Sequence, residues 1–199
     1  MKELSQFILC NGKVPVAPTG GTIDPHDPAN WLSYTDACNA AELLNLKVGF
    51  VFTSSDPYWF LDIDHCVTAE NQWSPLAKSL MSAFSGACVE VSQSGEGLHI
   101  FGSGQVPEHS CKNKEYGIEF YHEGRFVLLN SDISNVNTDL RLNFDTQVQW
   151  LVDSYFKPIE GQGIEWRNSP VVEWNGPEDD DMLIAKMCKS KSARVIFGG

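Results

Sequence analysis

The chain has 199 residues, of which 42% are hydrophobic, and it carries a formal net charge of -12 at pH 7. It is long enough for one substantial core, but no apolar run reaches the length that crosses a bilayer, and no signal peptide opens the sequence. Six cysteines without a Cys-x-x-Cys pair argue against a disulfide scaffold and a zinc knuckle. We therefore expect a cytoplasmic protein with reduced cysteines and no membrane partner.

The acidic excess lies in the body of the chain. Residues 1–159 hold most of it, so the run of acids at 178–181 does not account for the charge. Because Lys and Arg contacts to phosphate supply most nonspecific affinity for nucleic acids, such a body binds nucleic acid weakly by itself. Any function on nucleic acid must then depend on bound metal, a local basic strip or another domain.

Apolar periodicity and chain breakers predict a mixture of helices and strands. Gly and Pro residues are dense between residues 13 and 28, so no regular structure is expected there. Turn signals at residues 56–57 and 122–124 predict two hairpins. In chain order the predicted elements are a strand near 7–9, a helix over 36–46 with Thr35 as its N-cap and Leu44 on its buried side, strands 48–53 and 60–64 as the first hairpin, a helix from Ser74 and Pro75 to about 84, strands 88–92 and 98–101, strands 116–121 and 125–129 as the second hairpin, and a helix over 144–156.

The composition changes after residue 158. Gly, Pro and isolated aromatics over residues 159–177 predict a linker. Residues 178–199 predict the start of a helical segment, because acids come first and bases last, as the helix dipole favours. The apolar residues 195–197 have nothing left to pack on, so we expect the chain to be a fragment of a longer protein.

Two carboxylates follow the most apolar stretch of the chain, Trp-Phe-Leu-Asp-Ile-Asp at residues 59–64. Side chains two apart on a strand point the same way, so Leu61 and Ile63 enter the core while Asp62 and Asp64 share the other face. Two unneutralised carboxylates this close repel each other, whereas a bound Mg²⁺ or Mn²⁺ favours both anions. The alternative is a strand end whose acids face water.

Residues 92–99 read Ser-Gln-Ser-Gly-Glu-Gly-Leu-His. Gly95 and Gly97 let backbone amides approach an anion, while Ser92, Ser94 and His99 offer hydrogen-bond donors. That composition suits a triphosphate. The alternative is an ordinary hairpin turn with His99 as a partly buried polar residue. A short glycine motif taken alone favours this alternative.

A third carboxylate lies between apolar neighbours in the predicted strand at 116–121. Ile118 and Phe120 face the core, so Glu119 and Tyr121 face the side on which the other acids could lie. Arg125, across the predicted hairpin, is either the partner of Glu119 or a second phosphate ligand. Taken alone, the pattern around Glu119 favours a solvated or salt-bridged strand residue over a functional carboxylate.

The order of these motifs, Asp-x-Asp, then Ser-x-Ser-Gly-x-Gly-x-His, then Ile-Glu-x-Tyr followed by Arg-Phe, resembles the archaeo-eukaryotic primase superfamily. The likeness is strongest to the primase-polymerase domains of phage and plasmid replication proteins that carry a helicase downstream, and it covers roughly residues 13–129. One departure is Leu-Asn-Ser at residues 129–131, where many relatives carry a Thr-Gly pair. The fold implied is α+β, with an RNA-recognition-like antiparallel sheet plus an N-terminal α/β unit.

The resemblance implies a DNA primase and DNA polymerase that performs template-directed nucleotidyl transfer in phage or plasmid DNA replication with two divalent ions, Mg²⁺ or Mn²⁺. Implied partners are single-stranded DNA template and primer, dNTPs, with NTPs left open, and a helix bundle and helicase in the full-length protein. The location would be the host cytoplasm if a phage encodes it. Residues 1–158 would form the catalytic domain, followed by the linker 159–177 and the helical segment 178–199. The implied residues are Asp62, Asp64 and Glu119 for the metals, with His99 as a fourth catalytic residue, and Ser92, Ser94, Gly95, Gly97, His99, Tyr121 and Arg125 for the nucleotide.

Two other functions stay open at this point. Asp-x-Asp with a histidine would also serve an untemplated nucleotidyltransferase or a metal-dependent phosphodiesterase, although the Ser-Gly-x-Gly-x-His turn favours a triphosphate over a diester. A replication module that binds nucleotide or DNA without catalysis is the second alternative. The presence of all three acids and His99 weighs against it.

Overall fold

The computed structural model describes residues 1–130, 142–156 and 181–182. The chain divides into two units, Met1–Ile159 and Glu160–Gly199, and the elements described below belong to the first. Asp181 and Met182 are helical. The rest of the predicted linker and of the predicted helical segment 178–199 lies outside the described residues.

The described residues form three α-helices and two antiparallel sheets, which is the α+β class that the sequence predicts. A short 3-10 helix, Pro28–Asn30, precedes the first α-helix. The strands are β1 (Phe7–Asn11), β2 (Val14–Val16), β3 (Lys47–Phe52), β4 (Tyr58–Ile63), β5 (Cys88–Val91), β6 (Leu98–Ser103), β7 (Lys112–Asn113), β8 (Ile118–Tyr121) and β9 (Arg125–Leu128), and the helices are α1 (Tyr34–Leu44), α2 (Pro75–Ala83) and α3 (Asp145–Tyr155).

The strands are divided between a small and a large sheet. The small sheet has the order β2-β1-β3-β9, and the large sheet has the order β5-β6-β4-β8-β7. The short strands β2 and β7 were missed by the sequence prediction, because β2 contains Pro15 and β7 has only two residues. Both lie at sheet edges, where proline and short strands are tolerated.

Both predicted hairpins are wrong. Strands β3 and β4 belong to different sheets, and so do β8 and β9. In the first connection the Asp56 carboxylate accepts hydrogen bonds from the backbone of Thr53 at 3.1 Å and of Tyr58 at 2.9 Å, so the turn is well formed. A turn signal specifies a change of direction, but the pairing partner is set by contacts between residues distant in sequence. Here both turns lead the chain from one sheet to the other.

Strand β4 lies at the centre of the large sheet and is buried on both faces. Trp59, Leu61 and Ile63 pack with residues of α2 and α3 in one core, as the alternation of the sequence predicts. Phe60, on the opposite face, belongs to a second core together with Phe52 of the small sheet, and their ring centroids are 5.9 Å apart. The small sheet therefore covers part of the face that carries the even-numbered side chains of β4.

Helices α1 and α2 begin at serine N-caps, whereas α3 has no side-chain cap. The hydroxyl of Ser33 accepts a hydrogen bond from the backbone of Asp36 and begins α1, so the N-cap is not Thr35, and Leu44 is exposed rather than buried. Helix α2 begins at Ser74 and Pro75 as predicted, and α3 buries the predicted apolar residues Val148, Leu151 and Val152. Among the described residues, no helix combines the length and the apolarity needed to cross a membrane.

Among the described residues, the cysteines form no disulfide bond. Cys10, Cys66 and Cys88 are buried and pack as small apolar residues, as expected of structural cysteines. Burial raises the pKa of the Cys10 thiol to about 11, which keeps it protonated and unreactive.

Candidate functional site

Five ionisable side chains form one row across the large sheet. Asp62 of β4 is paired in register with His99 of β6 on one side and with Glu119 of β8 on the other. Glu90 of β5 continues the row beyond His99, and Lys112 of β7 continues it beyond Glu119. The antiparallel register thus places Asp62, Glu119 and His99, one residue from each of the three sequence motifs, side by side on three adjacent strands.

The charged row borders an aromatic row. Two residues away along each antiparallel strand, Phe101, Phe60 and Tyr121 lie side by side under the small sheet. Because side chains two apart share a face, the charged row points to the same side as these rings. It therefore lies where the packing between the two sheets ends, in a position that a ligand can reach.

A groove of about 460 Å³ opens at this point between the two sheets. Its large-sheet wall carries Asp62, Asp64, His99 and the turn residues 92–94, and its other wall is strand β9 with Arg125. Six predicted site residues therefore face one groove: Asp62, Asp64, Ser92, Ser94, His99 and Arg125. The other four predicted site residues, Gly95, Gly97, Glu119 and Tyr121, are not among the residues that line it.

The glycines shape the turn rather than line the groove. Gly95 has a φ of +79°, which a glycine adopts without strain. A side chain at Gly97 would place its Cβ 2.9 Å from the carbonyl oxygen of Ile63. The Gly97 amide donates to the Ser92 hydroxyl at 3.0 Å. The absence of a side chain at Gly97 thus lets the turn lie against the end of β4, next to Asp64, and the hydrogen bond to Ser92 closes the turn.

Asp62 is an incompletely neutralised carboxylate. Burial raises its pKa to about 6; His99 and Arg125 oppose the shift, while the neighbouring carboxylates of Asp64 and Glu119 reinforce it. Its nearest basic neighbour is His99, whose Nε2 atom lies 3.6 Å from the Asp62 Oδ1 atom. A hard divalent cation binds carboxylate oxygens and relieves this repulsion, so the pair Asp62 and Asp64 fits such an ion.

Glu119, in contrast, is fully engaged by protein donors. Lys112 Nζ lies 2.6 Å from its Oε1 atom, and the Tyr121 hydroxyl donates to Oε2 at 2.7 Å. Arg125 adds a contact at 3.6 Å, so it is a partner of Glu119 although the predicted hairpin is wrong. Burial alone would raise the pKa of Glu119, but the hydrogen bonds from Lys112 and Tyr121 outweigh burial and lower it.

Glu119, the predicted third metal ligand, therefore already binds Lys112 and Tyr121 in this structure. Among the described residues, no group of three or more His, Cys, Asp or Glu side chains is arranged to hold a metal ion. Asp62 and Asp64 are placed for this role, whereas Glu119 would have to exchange Lys112 and Tyr121 for the ion.

Sequence reasoning missed two residues at the site. Lys13, in the turn between β1 and β2, lines the groove with an exposed amine, in a segment for which no structure was expected. Glu90 contacts His99 and could have been found, because a tight turn over residues 92–97 places residue 90 opposite residue 99. Lys47 also reaches the turn, where its Nζ atom donates to Gln93 Oε1 at 2.6 Å.

The comparisons with known proteins agree with these motifs. No family model matches the chain. The chain is similar to the DNA primase-polymerase of Nitratiruptor phage NrS-1, with 27% identity over 191 residues that cover 90% of this chain and 25% of the phage protein. The chain thus spans about a quarter of the relative it matches. The similarity supports a relationship to primase-polymerases.

Proposed function

We propose that the chain is the catalytic domain of a DNA primase-polymerase that performs template-directed nucleotidyl transfer in phage or plasmid DNA replication. The observation that carries the proposal is the placement of Asp62 of β4 between His99 and Glu119. Asp64 follows the end of β4, and the turn 92–97, which joins β5 to β6, lies beside it in the same groove. The likeness to a phage DNA primase-polymerase supports the same reaction. Membership of the archaeo-eukaryotic primase superfamily and a downstream helix bundle and helicase belong to this proposal.

Asp62 and Asp64 would hold Mg²⁺ or Mn²⁺, with Glu119 as a third ligand after it releases Lys112. When bound, two such ions activate the attacking 3′-hydroxyl of the primer and neutralise charge on the transferring phosphates. The protein's part is to hold the carboxylates close together at the floor of a groove, which the register of three adjacent strands does. Burial raises the pKa of Asp62, and the bound ions would favour its ionised form.

The triphosphate of the incoming nucleotide would lie along the turn 92–97. Ser92 and Ser94 offer hydroxyl donors, and the turn glycines leave the backbone accessible. Lys13 and Arg125 supply positive charge from the opposite side of the groove, where a bidentate guanidinium suits phosphate oxygens. These two cations offset part of the repulsion between a triphosphate and an acidic body.

Tyr121 is engaged by its neighbours within the protein. Its side chain is buried, its hydroxyl donates to Glu119, and the Arg125 guanidinium lies 4.9 Å from its ring centroid. We propose that Tyr121 holds Glu119 and Arg125 in place, and its contact with the nucleotide stays a prediction.

Extension of a labelled primer on templates of defined sequence tests the proposal. Single dNTPs are supplied with Mg²⁺ or Mn²⁺ to the parent chain and to the double variant Asp62→Ala/Asp64→Ala. Glu42→Gln, which changes an exposed acid of α1, is the control for loss of one negative charge. We expect incorporation that follows the template, is lost in the double variant and is retained in the control.

Other outcomes would select the alternatives. Incorporation that ignores the template would indicate an untemplated nucleotidyltransferase, and degradation of the primer would indicate a phosphodiesterase. Binding of dNTP and DNA without incorporation, by a folded parent chain, would indicate a binding module. The similarity to a DNA primase-polymerase favours none of these three.

A further inference from the structure

Glu90 makes the shortest contact to His99. The Oε1 atom of Glu90 lies 2.7 Å from Nδ1 of His99, and both side chains are nearly inaccessible to solvent, with 12% and 11% of their surfaces exposed. Glu90 is on the edge strand β5, one strand farther from Asp62 than His99 is. An ionised carboxylate only accepts hydrogen bonds, so Nδ1 carries the proton in this contact.

Glu90 is itself held in place from the other sheet. Its second oxygen, Oε2, accepts a hydrogen bond from the backbone amide of Asn130 at 3.1 Å, just after the end of β9. The side-chain amide of Asn130 donates to the carbonyl oxygen of Val91 at 2.5 Å. Asn130 thus ties β5 to the strand that forms the opposite wall of the groove.

The His99 ring has little freedom to turn. Its ring centroid lies 5.1 Å from that of Phe60 and 6.2 Å from that of Phe101, and both rings meet it edge to face. With Nδ1 bound to Glu90, Nε2 faces Asp62 Oδ1 at 3.6 Å and the groove. Rotation of the ring would break the hydrogen bond to Glu90 and leave a nearly buried carboxylate oxygen without its partner, which is costly.

We propose that Glu90 is a positioning residue that fixes the orientation of the His99 ring by accepting the Nδ1 proton, so that Nε2 faces the triphosphate of the incoming nucleotide and donates to it from the ring that is protonated on both nitrogens. Asn130 supports Glu90 through its backbone amide. This proposal rests on the proposed function, since it names the group that prepares His99 for nucleotide binding. A carboxylate that holds the second nitrogen of a functional histidine in this way acts through the histidine and does not touch the substrate.

The test compares Glu90→Gln and Glu90→Leu with the parent chain. Glutamine keeps the size and a weaker acceptor, whereas leucine removes the acceptor and keeps most of the volume. We expect the KM for dNTP in primer extension to rise about 10- to 100-fold in Glu90→Leu, as expected for loss of a charged hydrogen bond, and by less in Glu90→Gln. The kcat should change little, because Asp62 and Asp64 remain in place.

A spectroscopic measurement separates positioning from a merely structural role. The ¹⁵N chemical shifts of the His99 ring should report a protonated, hydrogen-bonded Nδ1 in the parent chain and the loss of that hydrogen bond in Glu90→Leu. Glu42→Gln is the matched control and should alter neither the shifts nor the KM. Thermal unfolding shows whether each variant is folded, and Glu90→Gln remains informative if Glu90→Leu is not.

The outcomes distinguish this proposal from the proposed function. If the parent chain does not extend a primer, the proposed function fails, while the ¹⁵N shifts still decide whether Glu90 fixes the ring. If folded Glu90 variants keep the parent's ring shifts, or keep its KM while the parent extends primers, the positioning role of Glu90 is overturned.

Discussion

Asp62 and Glu119 face each other across strands β4 and β8, but the protein neutralises only one of them. Glu119 is bound by Lys112 and Tyr121, and its pKa is lowered. Asp62 has the same exposed fraction of its side chain as Glu119, 19%, but only the longer contact to His99, and its pKa is raised to about 6. The charge that a divalent cation would compensate is therefore concentrated on Asp62 and on its neighbour Asp64.

Replacement of Asp62 by asparagine should stabilise the metal-free protein. Folding raises the pKa of Asp62 from 3.8 to about 6, so its contribution to stability is fully present below pH 3.8 and is lost as the pH rises through 6. In EDTA at pH 8 we expect Asp62→Asn to raise the free energy of unfolding by about 1–3 kcal/mol, from the cost of about 1.4 kcal/mol per pKa unit. The variant should have no primer-extension activity.

Urea denaturation at pH 8 and at pH 5.5 measures this effect, and the gain should shrink at the lower pH. Glu42→Gln controls for the change in net charge and should have no such gain. Equal stability of Asp62→Asn and the parent at pH 8 would show that the ionised Asp62 carboxylate does not destabilise the metal-free protein.

Removal of the Lys112 amine should make Glu119 available to a metal ion. Lys112 occupies Glu119 Oε1 at 2.6 Å, and about half of its side chain is exposed to solvent. Exposed ion pairs contribute about 0.2–1 kcal/mol, so Lys112→Met should tighten Mn²⁺ binding by no more than about fivefold. Titration followed by Mn²⁺ electron paramagnetic resonance measures the affinity, and Lys78→Met on α2 is the control. Weaker binding in Lys112→Met would show that Glu119 does not become a ligand.

The Lys13 amine should contribute to nucleotide affinity more than to the rate. It lines the same groove as the turn residues 92–94, where it can bind a triphosphate. Lys13→Ala should raise the KM for dNTP by about 3- to 30-fold and leave kcat nearly unchanged, since a charged hydrogen bond contributes about 1.5–3 kcal/mol before solvent screening. Steady-state primer extension measures both constants. Lys78→Ala serves as the control, and an unchanged KM in Lys13→Ala would exclude Lys13 from the binding site.

Gly102 is required by the core rather than by the site. It is paired with Trp59 across β6 and β4, and a Cβ at this position would lie 2.2 Å from the indole ring. Trp59 is fully buried, so the ring cannot move aside without disturbing α2 and α3. Gly102→Ala should therefore lower the free energy of unfolding by about 2–4 kcal/mol.

Chemical denaturation measures this loss. Gly124→Ala is the matched comparison, because Gly124 has open space around it and a φ of +62°, and it should cost only about 1 kcal/mol. A similar loss in both variants would mean that the clash with Trp59 is relieved by local adjustment.

The sequence by itself determined which residues face the core and which face the site. Alternation along β4 and β8 predicted that Leu61, Ile63, Ile118 and Phe120 would be buried, and the structure confirms this. The same alternation placed Asp62 and Glu119 on the opposite face. Period-two patterns are local, so they can be identified without knowledge of the partner strand.

Only the tertiary structure decided which strands are neighbours. Both predicted hairpins were wrong, because a turn at Asp56 or Gly124 is compatible with return to the same sheet or with passage to another. Passage to the second sheet places β9 across the groove, so that Arg125 faces Asp62 instead of extending the sheet beside it. The contacts that select this arrangement, such as Phe52 against Phe60, join residues of different sheets and leave no local pattern in the sequence.

The supporting residues of the site depend on the same long-range contacts. Lys13 reaches the groove because β1 and β2 lie in the small sheet, and Asn130 reaches Glu90 because β9 ends beside β5. The chemistry-bearing acids and the histidine were thus predictable from local motifs. Their neutralisation, burial and orientation were not, because electrostatic environment is set by every group that folding brings near, whatever its distance along the chain.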